Sequence, residues 1–372
     1  MEDIYYAIIG ISLSILYIFY VIIERLLINY YRKKIPLIIH INGIRGKSTT
    51  TRLIDAGLRN CGLKVFSKTT GTIPTMINTN NEDIVIKRLG KANIREQIKM
   101  LRKAAKENAD VLVLECMAVN PELQKICEEK ILKANITIIT NVRMDHIKDM
   151  GNTLEELALA LSNTTPSNGK LIVNESEFVD LFTKQAEKKN SQLIVAKDYN
   201  GIEDLDTFKD NIAIALEVAR QLNLNEGNFF EGMKMYHKDI GAYSEILKQN
   251  TILLNGFSIN DPDSIKIAYE KIITKYNKED LTILLNSRSD RPTRVSQHLE
   301  MLKALKCKKI ILMGSATSYL VKKLKDNLDV EIETLKNKED LLNEKVIFAI
   351  GNIGGDGMKI VEYFKKGGER IC

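Results

Sequence analysis

Apolar residues are arranged in two ways along this chain. From Ile4 to Ile23 they run on without a single charge. Beyond residue 35, short apolar runs alternate with longer stretches of helical spacing. The runs at 36–41, 64–67, 110–115, 135–141, 170–174 and 192–196 read as strands. The stretches at 47–60, 91–107, 121–133, 153–163, 177–189 and 210–223 carry the i, i+3, i+4 period of amphipathic helices, the second with basic outer positions. Residues 68–83, rich in Thr and Asn, read as a polar loop. A second alternating block predicts strands at 251–256, 281–286, 308–313 and 345–350, and helices at 262–276, 295–305, 316–327 and 355–366. Such alternation predicts parallel sheets covered by helices. The weakly periodic stretch 227–250, with Gly227, Gly232 and Gly241, places a domain boundary near 245. The Lys/Asn/Glu-rich stretches at 275–280 and 322–344 read as solvated faces and loops.

The uncharged run is the length of a membrane span, because a helix of about 20 residues covers the roughly 30 Å hydrocarbon layer. Glu2 and Asp3 precede it and Arg32-Lys33-Lys34 follow it, so the positive-inside rule places everything after residue 24 in the cytoplasm. Tyr5 and Tyr6 sit where interfacial tyrosines favour an anchor. A cleaved signal would put its basic residues first and a small-residue site after, and neither is present. A buried core helix is the alternative.

Composition narrows the picture further. The chain is 44% hydrophobic and 27% charged, which suits globular domains with real cores. Its five Cys form no CxxC pair, which argues against a disulfide scaffold and for a reducing compartment. A net charge of +6 over 372 residues is too dilute to suggest a nucleic-acid surface.

The strand at 36–41 runs into Asn42-Gly43-Ile44-Arg45-Gly46-Lys47-Ser48-Thr49, and a helix follows. Strand, glycine loop and helix form the context that a phosphate loop requires. Glycine lets backbone N–H groups turn toward phosphate oxygens, and the helix N-terminus adds partial positive charge. Lys47 is placed to neutralise the β- and γ-phosphates, and the Ser48 hydroxyl to bind Mg²⁺. The form is the short G-x-x-G-K-S, with Ile41 where longer loops carry glycine. A tight turn with a surface lysine is the alternative. Ligands of open parallel sheets gather at the carboxyl ends of strands. Glu115 ends one strand, and Asp145-His146 follow another. Oxygen ligands suit a hard cation, with an imidazole admissible; otherwise Glu115 is an ordinary strand-end carboxylate and His146 a structural histidine.

Together these residues resemble the Mur ligase superfamily of ATP-dependent amide-forming enzymes. The loop at 42–49 resembles its short phosphate loop, and Asn141-x-x-x-Asp145-His146-x-x-x-x-Gly151 its metal-binding motif. Asn211 resembles its adenine-contacting asparagine, and 260–264 the start of its C-terminal domain. The wording at 68–72, 115–121, 255–257, 286–291 and 351–353 is similar to the membrane-bound ligase subunits of poly-γ-glutamate synthases. Two positions depart from the pattern of the wider superfamily, which bears on detailed roles and not on the fold. No lysine occurs from Gly151 to Gly169, where the family carries a carbamylated lysine at a second metal. No arginine occurs from 221 to 287, where it carries a phosphate-touching Gly-Arg pair.

The resemblance implies an α/β fold. A transmembrane anchor over 1–34 precedes a P-loop parallel-sheet ATPase domain over 35–245 and a smaller Rossmann-like ligase domain over 246–372. It implies ATP and Mg²⁺ as cofactors, with Lys47, Glu115 and His146 catalytic. Asn42, Gly43, Arg45, Gly46, Lys47, Ser48 and Thr49 would cradle the nucleotide, Asn211 would meet the adenine, and Ser48, Glu115 and His146 would hold the metal. Lys68, Thr72, Arg288 and Arg291, with Arg294, would meet substrate carboxylates. The reaction implied is γ-glutamyl ligation through an acyl phosphate, inside a site closed by a hinge near 245. Glutamate, the growing polymer and other membrane subunits of a synthase or export complex would be the partners, at a bacterial cell membrane. A same-fold ligase acting on a folate or wall precursor, and a membrane-anchored ATPase that powers export, remain alternatives.

Overall fold

The structure, a computed structural model, describes Glu2–Ile371 except Thr72, Leu89, Lys91, 175–176, 202–204, Asp206, 239–242, Ser258, 260–261, 288–300, Ala304, 315–316 and Gly354. The chain divides into two compact units, Met1–Lys238 and Asp239–Cys372. Position 245, where the sequence suggests a boundary, falls inside a strand of the second unit, Ser244–Lys248.

A 32-residue helix, α1 (Glu2–Lys33), opens the chain. From Ile4 to Ile23 its large apolar side chains are exposed, from 40% at Ile9 to 68% at Tyr6. Its last turns behave differently. Ile28 is only 7% exposed and joins a core with Phe66, Met100 and Leu101. Arg32 donates to the Lys133 carbonyl at 3.0 Å and to Asn135 Oδ1 at 2.9 Å. The exposed run therefore has the length and polarity of a membrane span, while the turns after Glu24 are packed into the first unit.

The first unit is built on the strands β1 (Leu37–Asn42), β2 (Val65–Thr69), β3 (Thr75–Ile77), β4 (Asp83–Val85), β5 (Val111–Glu115), β6 (Ile136–Ile139), β7 (Lys170–Val173) and β8 (Gln192–Val195). They form one sheet in the order β4-β3-β2-β5-β1-β6-β7-β8. All pairings are parallel except those of β3 and β4, which are antiparallel. β3 and the first residue of β4 fall in the stretch read from sequence as a loop, and three residues each are too few to display a period. Alternate residues of β1 serve opposite faces. Ile39 and Ile41 pack beneath α2 (Lys47–Asn60) and α8 (Lys209–Gln221), while Ile38 packs with α3 (Arg95–Lys106). The chain leaves β1 toward β2, returns beside it as β5, and crosses to its other side as β6. The carboxyl ends of these three strands are therefore the switch point at which such sheets bind ligands.

The second unit carries β9 (Ser244–Lys248), β10 (Thr251–Asn255), β11 (Leu281–Ser287), β12 (Lys309–Gly314), β13 (Glu331–Thr334), β14 (Val346–Gly351) and β15 (Glu369–Arg370). Their order is β13-β12-β11-β14-β10-β9-β15, parallel from β13 to β10 and antiparallel at β9 and β15. Asn255, Asn286 and Gly351 all stand at carboxyl ends of neighbouring strands, with Asn286 in register with Gly351. Three of the sequence motifs thus meet at one edge of this sheet. β9 lies in the weakly periodic linker and β13 in the Lys/Asn/Glu-rich stretch, where charged outer positions mask the strand pattern.

One polar pair lies in the first core. His40 of β1 is fully buried, and its Nδ1 lies 2.8 Å from Glu128 Oε2. Glu128 sits on a π-helical turn, Cys127–Leu132, that follows α4 (Pro121–Ile126), and its other oxygen accepts the Ala134 N–H at 2.8 Å. Burial alone would lower the histidine's pKa, but Cys116 and Glu128 outweigh it and raise the imidazole to about 9. A pKa raised on folding contributes stability that is complete below the unfolded value of about 6.5 and is lost as pH rises through about 9. The melting temperature of the detergent-solubilised chain should therefore fall between pH 6.5 and 9.5. Glu128→Gln should cost roughly 3–5 kcal/mol near neutral pH and flatten that slope. Parallel melting curves for the two proteins across this range would contradict the assignment.

Candidate active site

The middle of the phosphate loop is tied to the end of β6. The Ile44 N–H donates to the Asn141 carbonyl at 3.2 Å, and the Arg45 N–H to Asn141 Oδ1 at 3.0 Å. Thr140 Oγ1 and Asn141 Nδ2 both donate to the Arg45 carbonyl, at 2.6 and 3.0 Å. Gly43, at φ 122°, is what permits this approach: a Cβ there would sit 2.8 Å from the Thr140 backbone nitrogen. Gly46, at φ 78°, precedes α2 without a side-chain cap, and a Cβ on it would meet Asn211 Oδ1 at 2.5 Å. The first N–H groups of α2 are thereby left at the mouth of the loop.

Lys47 folds over this loop and donates to the Gly43 carbonyl at 2.6 Å and the Ile44 carbonyl at 3.2 Å. Desolvation lowers its pKa, with Glu115 and Cys116 pulling the other way. Ser48 Oγ donates to Glu115 Oε2 at 2.7 Å, and the Thr70 N–H donates to the same oxygen at 2.6 Å. Thr49 stands half-buried on the first turn of α2. On the loop after β6, Asp145 bridges Arg45, at 2.8 Å, and the His146 N–H, at 2.7 Å. His146 adopts φ 53°, caps the short helix α5 (Ile147–Met150), and leaves its side chain 33% exposed.

The structure therefore brings Ser48 and Glu115 together and groups His146 with Asp145 and Arg45. Among the described residues no three His, Cys, Asp or Glu side chains converge as a metal-ligand cluster. Two expectations are corrected. Asn42 is buried and turned away from the loop mouth, donating to Gln124 Oε1 at 2.8 Å and Thr164 Oγ1 at 3.2 Å. It braces the end of β1 and contributes only backbone to the loop. Lys68 is fully buried and pairs with Glu96 at 2.7 Å, so its charge is spent inside the unit. Burial lowers its pKa against the pull of Glu96. Burial alone would raise Glu96, but Arg88 and Lys68 hold it at about 2. Asn211 lies buried beneath Gly46, engaged with Thr50 at 3.3 Å and Thr207 at 3.2 Å. Thr72, Arg288, Arg291 and Arg294 lie outside the described residues.

Sequence reasoning passed over Thr140, Thr70 and Gln97. Gln97 donates to the Glu115 carbonyl at 2.9 Å and accepts from Lys68 at 3.1 Å, fixing the strand end that carries the carboxylate. Its signal was a polar residue on the apolar stripe of α3, between Ile94 and Leu101. Two observations fit a nucleoside triphosphate with a divalent cation. The loop is a backbone cradle that a Cβ at Gly43 would distort, and Ser48 and Glu115 form an adjacent pair of hard oxygen donors.

The Mur ligase middle domain model matches residues 41–225, and the poly-γ-glutamate synthase CapB C-terminal domain model matches 240–367. The chain is 35% identical over 357 residues to PGA synthase CapB of Bacillus subtilis, covering 88% of this chain and 90% of that protein. The chain belongs to the poly-γ-glutamate synthase CapB family. The capsule biosynthesis protein CapB of Bacillus anthracis is 34% identical over 353 residues, covering 88% of this chain and 76% of that protein. The chain also shares its fold with the bifunctional folylpolyglutamate synthase/dihydrofolate synthase of Yersinia pestis, solved with AMPPNP and a Mn ion. The TM-score is 0.68 at 14% identity, covering 92% of each chain. The match extends over both α/β units, as the resemblance to Mur ligases implied.

Gly43→Ala should abolish nucleotide binding by forcing the loop off Thr140. Gly62→Ala also meets a positive φ, of 86°, but has open space around it. That change should cost only about 1–2 kcal/mol of stability and leave nucleotide affinity unchanged. Titration of a fluorescent ATP analogue into both variants checks this, and tight binding by Gly43→Ala would contradict it.

Proposed function

We propose that this chain is an ADP-forming ligase that extends a γ-linked glutamate chain at the inner face of a bacterial cell membrane. The observation that carries the proposal is the phosphate loop clamped to β6 beside the Ser48–Glu115 pair, within a chain of the CapB family. A free carboxylate does not form an amide in water without activation. An oxygen of the glutamyl carboxylate attacks the γ-phosphorus of ATP and ADP departs. The amine of the next glutamate then attacks the acyl carbon, inorganic phosphate departs, and the amine nitrogen loses a proton.

The loop N–H groups and the N-terminus of α2 hold the phosphate chain, and Lys47 turns from the Gly43 carbonyl to neutralise the transferring group. A bound Mg²⁺ supplies further charge neutralisation on the phosphates. Ser48 and Glu115 are the residues to hold it, with His146 on the facing loop as a third donor. Asp145 orients that loop by joining Arg45 to the His146 backbone. Arg288 and Arg291, directly after β11, are the cations assigned to the carboxylates of the two substrates. The exposed run of α1 enters the bilayer, with the catalytic part cytoplasmic, and other membrane subunits carry the polymer outward.

Full-length protein supplied with glutamate, Mg-ATP and its membrane partners should yield ADP, phosphate and γ-linked product together. Lys47→Ala should lower turnover by about 10²–10³-fold or more without unfolding the chain. His146→Ala should act on turnover more than on nucleotide affinity. ATP hydrolysis that ignores every amino-acid and polymer acceptor would favour the export-ATPase reading instead.

A further inference from the structure

The chain's positive charge is not spread evenly. Residues 84–106 hold eight lysines and arginines against one acid, more net charge than the +6 of the whole protein. On α3, Arg95, Lys99, Arg102 and Lys106 follow at helical intervals of four, three and four, and all are exposed. The opposite face, with Met100, Leu101, Ala104 and Ala105, is buried. The stripe is thus a single basic face on a helix whose other side is fixed in the core.

Its location is fixed by its first member. Arg95 donates to Glu24 and to the Tyr20 hydroxyl of α1, and its guanidinium stands 5.8 Å from the Tyr20 ring centroid. Tyr20 and Glu24 bracket the point where the uncharged run ends at Ile23. A membrane span beginning near Ile4 brings this level of α1 to the cytoplasmic headgroups. The start of α3 is held at the same level.

We propose that the outer face of α3, with Lys87 from the preceding segment, docks on the anionic headgroups of the bilayer that α1 enters. The proposal rests on the anchor reading above. Three features favour headgroups as the occupant: continuity with α1, matching charge, and a rigid backing that holds the first residue of the stripe at the end of the uncharged run. Basic side chains near an anionic leaflet are attracted through screened electrostatics, within about 10 Å at ordinary salt. The same helix fixes the active-site strand end through Gln97, so docking also sets how the catalytic unit stands on the membrane.

The test is lysine footprinting of the full-length protein in lipid nanodiscs of phosphatidylcholine, with or without phosphatidylglycerol. Acetylation of Lys99, Lys103 and Lys106, read by peptide mass spectrometry, should be about fivefold slower in the anionic discs and recover in high salt. Lys184 and Lys188, on α7 (Val179–Lys188) near the other edge of the sheet, should not change. The variant Lys99→Gln/Arg102→Gln/Lys106→Gln should lose the protection at Lys103 while keeping ATP turnover in detergent. Equal rates in both lipids would overturn the docking surface while leaving the anchor in place. Failure of the chain to co-purify with the discs would overturn the anchor and the proposal with it. Protection conferred in detergent by added poly-γ-glutamate, and not by anionic lipid, would assign the stripe to the polymer instead.

Discussion

The arrangement depends on one close approach. Gly43 has no Cβ, so the loop after β1 can lie directly against the backbone at the end of β6. Four hydrogen bonds between residues 44–45 and Thr140 and Asn141 then lock it there. That clamp determines where the first turn of α2 points, and therefore where Ser48 meets Glu115. A larger residue at 43 would separate β1 from β6 at the switch point of the sheet. The nucleotide site is thus a property of strand order, because β5, β1 and β6 must be neighbours before any of these contacts exist.

Much of this was legible in the chain. The buried parallel strands announced themselves as continuous apolar runs, and glycines at 43 and 46 between strand and helix announced the loop. The pairing of Ser48 with Glu115 could be expected from strand ends, but the clamp from Thr140 and Asn141 could not. It joins residues almost a hundred positions apart, setting the Thr140 and Asn141 side chains on the backbone of Arg45, and the loop's half of each bond is main chain that carries no sequence signal. Asn42 and Lys68 were misplaced for a related reason. A polar residue beside a motif looks the same in sequence whether it faces the ligand or braces the core, and only their partners, Gln124 and Glu96, distinguish the two. The short strands β3 and β4, the π-helical turn at 127–132, the antiparallel strand β9 and the edge strand β13 escaped because their stabilisation is tertiary.

Three successive residues of α3 connect parts of the protein that the sequence presents separately. Arg95 reaches the end of the apolar helix, Glu96 neutralises Lys68 and Arg88, and Gln97 holds the carbonyl of Glu115. The end of the apolar helix and the strand end that carries Glu115 are therefore braced by one turn of one helix.

The central claim is that the carboxylate is activated by direct transfer of the γ-phosphate, at the loop clamped by Gly43. The most direct measurement supplies glutamate labelled with ¹⁸O in its carboxylates, together with Mg-ATP and the membrane partners, and follows the label by mass spectrometry. An acyl phosphate that breaks down by attack of an amine leaves one ¹⁸O in the inorganic phosphate for each bond formed, and that is the predicted result. Label recovered in AMP, or phosphate that stays unlabelled while γ-linked product accumulates, would contradict the account.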